Sequence, residues 1–358
     1  MFLRNLLQAS AILPLLYSTT SAQTACNNSP SLCNRAYNNI THLGAHDSPF
    51  VRDKTTDFAT SGNQYYNSTV QLQAGVRLLS AQVHKVNGST GEDMWHLCHT
   101  SCDLLDMGTL ANWLRNISSW MNSNTNDVVT VLIVNSDNAT PAQLGAQFAA
   151  SGINKLAYTP PSTSVVPKTW PTLQNLISNG TRLMSFVASI TADSTVPYLM
   201  DEFSFMFENA YQNAAPTAYN CTPNRPTSLT TTAAAASSGK MFLMNHFLYS
   251  TAFLGIQTPN STYANVTNAQ TGLGSLGTAI TSCTSVYSKP PNFVLTDFVN
   301  MGPAIASVDA ANDVTGAVGR TSVSTAALED DSTSGVIKRQ GNIFAVVVAV
   351  VAAVAFST

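Results

Sequence analysis

Two histidines stand at the ends of strand-like runs: His46 in Thr41-His-Leu-Gly-Ala-His-Asp-Ser-Pro-Phe50 and His99 in Trp95-His-Leu-Cys-His-Thr-Ser-Cys102. Cleaving a phosphodiester through a neighbouring hydroxyl needs one group to take a proton and a second to protonate the leaving oxygen. Imidazole suits both roles because it titrates near neutral pH. A single histidine after an apolar run is more often an ordinary rim or core residue. The pair gains weight from the elements that hold it.

Those elements read as strands alternating with helices. Apolar or β-branched runs fall at 39–45, 75–83, 94–98, 128–134, 182–187, 203–207, 241–245 and 292–298. Helical spacing of apolar residues marks 107–121, 140–151 and 172–178 between them. Alternation of this kind implies a parallel sheet, and so many strands in one chain suggest an α/β barrel. Charge is sparse and nearly balanced, 16 Lys+Arg against 19 Asp+Glu. No basic patch interleaved with aromatics supports nucleic-acid binding. There is no signal for oligomeric state.

The chain ends point to export. Residues 1–22 carry Arg4, an apolar stretch from Leu6 to Tyr17 and Thr20-Ser-Ala22, the pattern of a signal peptide. The tail ends in an apolar run from Ile343 to Phe356, preceded by Ser332-Thr-Ser-Gly335 and a polar spacer. That order reads as a signal for GPI attachment and cell-surface anchoring. The expected division is therefore signal peptide 1–22, barrel 23–306, Ser/Thr/Ala-rich stalk 307–334 and propeptide 335–358; residues 229–239 look like a flexible loop. With the signals removed about 310 residues remain, enough for one large barrel.

Six cysteines, an even number, favour disulfides in an exported chain. Proximity suggests Cys26–Cys33 and Cys98–Cys102, leaving Cys221–Cys283, although other pairings satisfy the count. A zinc reading of Cys98, His99 and Cys102 lacks a second ligand pair at finger-like spacing. N-glycosylation sequons are dense, at Asn27, Asn39, Asn67, Asn87, Asn116, Asn138, Asn179, Asn220, Asn260 and Asn265.

Residues 25–302 resemble the PLC-like phosphodiesterases, the barrel superfamily of bacterial phosphatidylinositol-specific phospholipase C, and most closely its secreted fungal members. The resemblance is carried by Ile40-Thr-His-Leu-Gly-Ala-His-Asp-Ser48, Gly75-Val-Arg-Leu-Leu-Ser-Ala-Gln82, Trp95-His-Leu-Cys-His-Thr-Ser-Cys102, Val128-Val-Thr-Val-Leu-Ile-Val-Asn135 and Phe293-Val-Leu-Thr-Asp-Phe-Val-Asn300. It implies an irregular TIM (β/α)8 barrel. It also implies His46 as general base, His99 as general acid on the third strand, Asp47 near the leaving group and Asp297 orienting the base. A phospholipid or GPI-type glycolipid would be the partner.

The departure lies on the second strand. Where the bacterial lipase carries an aspartate and then an arginine that neutralises the phosphate, this chain has Ser80 and Gln82. Calcium-dependent relatives need carboxylates there, and those are absent too, so no cofactor is expected. Strand alternation puts Ser80, Gln82 and His84 on one face, with Arg77 on the other. His84, Arg225 and Glu208 are the further candidates for the substrate mouth, with Lys85, Asn245 and His246 near it. Two readings follow: a metal-independent phosphodiesterase that forms a cyclic phosphate, or a barrel without activity that binds glycolipid or wall glycan. A glycosidase needs a carboxylate pair at a set separation, and only Asp47 and Glu208 offer themselves.

Overall fold

The computed structural model describes residues 24–251 and 257–328. The expected signal peptide and the attachment signal lie outside those residues. The strands are β1 (His42–Ala45), β2 (Leu78–Lys85), β3 (Trp95–Cys98), β4 (Asp106–Thr109), β5 (Val129–Asn135), β6 (Leu183–Ala188), β7 (Leu199–Asp201), β8 (Met206–Glu208), β9 (Met241–Asn245), β10 (Tyr249–Thr251), β11 (Gln257–Pro259) and β12 (Phe293–Thr296). The helices are α1 (Ser68–Ala74), α2 (Leu110–Ser123), α3 (Pro141–Ser151), α4 (Leu173–Ser178), α5 (Glu202–Phe205), α6 (Thr232–Ser237), α7 (Ala264–Thr267), α8 (Leu276–Tyr287) and α9 (Ala304–Ala311).

Eight strands form one curled sheet in the order β7-β6-β5-β2-β1-β12-β9-β8, every neighbouring pair parallel. Among the described residues β7 and β8 do not pair, so the barrel is left open at the place where α5 turns the chain between them. Its interior is packed by Leu78, Leu132, Phe186, Met206, Leu243, Phe293 and Leu295. Alternate residues such as Leu79, Val83, Val131 and Ile133 face outward, against Leu114 and Ile117 of α2 and Phe148 of α3. Burial on both faces is why these strands read as continuous apolar runs. Truncating a filled position such as Phe293 to alanine is expected to cost about 3–5 kcal/mol. Gly44 is required by packing, because a Cβ there would lie 2.7 Å from Leu295 Cδ2 and 2.9 Å from Leu78 Cδ2.

Helix ends follow their capping residues. Thr109 accepts from Asn112 N to start α2. Thr140 and Gln143 form a capping box at α3, with Pro141 in its first turn and left-handed Gly152 ending it.

The expected runs return with one exchange of membership. The run at 94–98 is β3, antiparallel to β2 and outside the parallel sheet. The run at 203–207 divides into α5 and β8, and β7, only three residues long, takes the vacant place. The loop expected at 229–239 contains α6. The stalk expected from 307 begins inside α9, whose C-cap Asn312 bonds both the N–H and the C=O of Thr41. Beyond it the chain stays on the barrel: Val318 N donates to Asn28 O, Thr321 N to Gln73 O, and Arg320 pairs with Asp309. Three disulfides join Cys26–Cys33, Cys98–Cys102 and Cys221–Cys283, the pairing suggested by proximity. No helix among the described residues is long and apolar enough to cross a membrane.

Candidate active site

β1 and β12 are neighbours, and the residues just past their C-terminal ends meet. His46 continues the ladder by donating its N–H to Thr296 O, and its Nδ1 lies 2.8 Å from Asp297 Oδ1. A carboxylate accepts only, so Nδ1 carries the proton and Nε2 is left as the free acceptor. The imidazole stacks on Phe247 with ring centroids 3.7 Å apart and 3° between planes.

Asp47 follows in the left-handed region at φ 47°, a conformation that aspartate tolerates. Its N–H donates to Ser80 Oγ, and Ser48 N donates to Ser80 O. Ser80 therefore fastens the turn after β1 to β2. Asp47 Oδ2 accepts from Gln82 Nε2 at 2.7 Å.

His99 arrives by a different route. β2 runs on past the barrel rim, and β3 folds back along it in the register Lys85↔Trp95, His84↔His96, Val83↔Leu97. The hairpin returns His99 to the level of Gln82, so an antiparallel strand delivers the residue expected at the end of a parallel one. Gln82 Oε1 accepts from Thr100 N, Cys98–Cys102 closes the loop, and Phe50 meets the His99 ring edge-on.

The result is convergent. Asp47 Oδ2 lies 3.6 Å from His46 Nε2 and 3.7 Å from His99 Nε2. Burial opposes charge on both rings. At His46 the Asp47 and Asp297 carboxylates outweigh it, and the pKa stands above the ordinary histidine value. At His99 burial prevails over Asp47, helped by the His46 charge, and the pKa stands below it.

Sequence reasoning missed the residues that lock this arrangement. Asn63 and Gln64 are fully buried in the loop between β1 and α1. Asn63 Nδ2 donates to Asp297 Oδ1 at 3.0 Å and lies 3.3 Å from His46 Nδ1. Gln64 Nε2 bridges His46 O and Thr296 O, while its Oε1 accepts from Val299 N. Neither belongs to a recognisable motif. Phe247 was accessible by alternation, two residues beyond Asn245 on the inner register of β9.

The remaining candidates divide. Ser80 and Gln82 reach the site. His84, a candidate for the substrate mouth, has its Nδ1 3.4 Å from Asp137 Oδ2. Arg225, expected as a loop cation reaching in, is bound through Nε and Nη2 to Glu208 Oε2, with Asn245 Nδ2 on the same oxygen. Its guanidinium covers the Tyr211 ring at 4.6 Å. Glu202 lies beside Glu208, and burial together with that neighbour holds its carboxyl well above the usual range. Tyr249 stands near Asp297, Asp47 and Arg225, its hydroxyl kept protonated by burial and those carboxylates. Arg77 is structural: it pairs with Asp127 and caps Leu72 O and Val76 O outside the barrel. Cys98, Cys102 and Asp106 cluster at metal-ligand distances, but the two sulfurs are bonded to each other.

The family model PI-PLC X 1 matches residues 32–312. The chain belongs to the PI-PLC X family. Two proteins of Arthroderma benhamiae are similar. One, named PI-PLC X domain-containing protein 1, is 35% identical over 85% of this chain and 95% of its own. The other, named an uncharacterized secreted protein, is 38% identical over 79% of this chain, which spans 62% of that relative's length. Among solved structures, the phosphatidylinositol-specific phospholipase C of Listeria monocytogenes has a TM-score of 0.50 at 14% identity, covering 78% of this chain and 94% of that one. The Staphylococcus aureus enzyme reaches 0.52 at 12% identity, covering 80% and 98%. These likenesses agree with a TIM-barrel fold.

Proposed function

We propose that this PI-PLC X family member is a phosphodiesterase that cleaves an inositol-type phosphodiester through a cyclic phosphate, with His46 as base and His99 as acid. The hydroxyl neighbouring phosphorus gives its proton to His46 Nε2 as its oxygen bonds to phosphorus. The bond from phosphorus to the leaving oxygen breaks, and His99 supplies that oxygen's proton. Asp297 holds the His46 tautomer, and Asp47 faces both Nε2 atoms.

The observation that carries this reading is the approach of both imidazole Nε2 atoms to one carboxylate oxygen, at 3.6 and 3.7 Å, with His46 Nδ1 fixed by Asp297. The pKa order has a consequence. A base with a raised pKa and an acid with a lowered one are each strong in their roles, while the form carrying neutral His46 and charged His99 is a minority of the population.

The reaction as proposed uses no metal. Calcium takes about six to eight oxygen ligands, whereas Ser80 and Gln82 are committed to Asp47 and Thr100, and Asp297 to His46. Replacement of a guanidinium by the Gln82 amide removes a fixed charge from the phosphate, a loss worth a factor of roughly 10²–10³, so turnover is expected to be slow. The same exchange favours a second reading, a barrel that binds an inositol or glycan headgroup without cleaving it. We place the protein at the cell surface, exported and lipid-anchored.

The test is release of water-soluble phosphate ester from inositol phosphodiesters in EDTA by wild type and His46→Ala. Release that survives EDTA and vanishes in the variant supports the phosphodiesterase. Equal background from both supports the binder.

A further inference from the structure

The family match ends at residue 312, just past α9, but the chain continues as a strap over the outside of the barrel. It climbs from the N-terminal strand ends to the mouth. At the base Asn28 Nδ2 donates to Val318 O, and Val318 N donates to Asn28 O. Beside these, Thr321 N donates to Gln73 O of α1, and Arg320 pairs with Asp309 of α9. The strap then roofs a cavity of about 240 Å³ lined by Val70, Val76, Ile305 and Val323. At the mouth it meets Asn300, four residues past β12. Asn300 Nδ2 donates to Ser324 O at 2.9 Å and to Ala326 O at 3.2 Å, one amide group serving two carbonyls with its two hydrogens. The strap is thus fixed at both ends across a hollow.

Its upper end lands behind the catalytic couple. Ala327 and Leu328 pack against Tyr65, Ala264, Phe298 and Met301, a small apolar cluster apart from the main core. Tyr65 follows Gln64, Phe298 follows Asp297, and the two rings meet with centroids 4.7 Å apart. Phe298 is fully buried and left-handed at φ 45°. A non-glycine residue pays about 1–3 kcal/mol for that conformation, so its surroundings must hold it. Here they are the bond from Phe298 N to Asn63 O, the bonds from Asn268 Nδ2 to Asp297 O and Phe298 O, and the cluster that Leu328 joins.

We propose that the strap is a positioning element of the active site. Leu328, held up by Asn300, presses the Tyr65–Phe298 pair into place and so fixes Asn63 and Gln64 against Asp297 and His46. Residues 313–328 then belong to the working barrel rather than to a stalk. The effect on turnover rests on the phosphodiesterase reading; the effect on the His46 imidazole does not.

The experiment compares the whole chain with Leu328→Ala, Asn300→Ala and the conservative Leu328→Met. Leu176→Ala is the control for stability alone, since Leu176 is buried in α4, which leads into β6, four strands from β12 in the sheet. Each protein is read by thermal melt, by NMR titration of the His46 ring, and by kcat/KM on phosphatidylinositol. In Leu328→Ala and Asn300→Ala the His46 titration is expected to move to lower pH, because a loosened Asp297 holds the imidazolium less well. Their kcat/KM is expected to fall about tenfold, the low end for losing a group that orients a reacting one. Leu328→Met restores both readings, and Leu176→Ala lowers the melt while leaving the titration in place. An unmoved His46 titration in Leu328→Ala, or the same shift in Leu176→Ala, would overturn the proposal and leave the strap a brace. Should Asn300→Ala fail to fold, Leu328→Ala decides, because that side chain is only partly buried. A shifted titration with no turnover even by wild type would overturn the phosphodiesterase reading and leave the positioning supported.

Discussion

Gln82 donates its amide hydrogen to Asp47 Oδ2 across 2.7 Å, and its other amide atom accepts from Thr100 N. One side chain on β2 thus ties the aspartate that faces both histidines to the loop that carries His99. A leucine of similar size at this position removes both bonds while preserving volume. Gln82→Leu is expected to lower kcat/KM by about 10–100-fold, the usual scale for losing a group that orients a reacting one. Steady-state kinetics beside a thermal melt check this, since a mere packing effect moves the melt and leaves the folded enzyme's rate intact.

Asp47 favours the charged form of both imidazoles. Removing its charge lowers both pKa values, so both limbs of a bell-shaped pH profile move toward acid in Asp47→Asn. The two apparent values belong to the pair rather than to either ring. The pH dependence of kcat/KM reads this shift, and unmoved or alkaline-shifted limbs would show that Asp47 does not act on the histidines.

Gln64→Ala opens the clamp between the ends of β1 and β12 and leaves the Val299 N–H and the His46 carbonyl without that partner, while Thr296 O keeps the His46 N–H. Each unsatisfied buried group costs about 1–3 kcal/mol, so a clear fall in stability is expected. Asn63→Ala removes a donor to Asp297, and its expected effect is chiefly on the pH profile through His46. Chemical denaturation separates the two: a Gln64→Ala variant as stable as wild type would remove the clamp from the account.

Acid stability is set in part away from the site. Burial holds His42 and His246 neutral, with pKa values lowered from 6.5 to about 4. Below pH 6.5 the unfolded chain binds protons that these two refuse until about pH 4. Stability therefore falls as pH drops through that window, by roughly 3 kcal/mol for each group at its lower end. Melting temperature between pH 7 and 4 reads it, and a flat profile would contradict the assignment.

Much of the fold was legible because strands buried on both faces are written as unbroken apolar runs, as at 128–134 and 241–245. Direction was not: Trp95–Cys98 has the composition of a barrel strand, and only its register with β2 reveals an antiparallel hairpin. β7 is too short to carry a pattern. In the site, His46, Asp47, His99 and Asp297 were reached through resemblance of whole segments. Asn63 and Gln64 were not, because an amide that bonds backbone carbonyls across two strands leaves no spacing to read. The partner of His84 was hidden for a related reason. Alternation fixes which face of β2 it shares with Gln82, but only the fold brings Asp137 to it.

The central claim is acid–base cleavage by His46 and His99 through a cyclic phosphate. The most direct measurement is phosphorus NMR of a water-soluble inositol phosphodiester incubated in EDTA with wild type, His46→Ala and His99→Ala. The account predicts a five-membered cyclic phosphate signal growing with wild type and absent with both variants, whose melts match wild type. Product that forms without a cyclic intermediate, or that persists in His46→Ala, would contradict it.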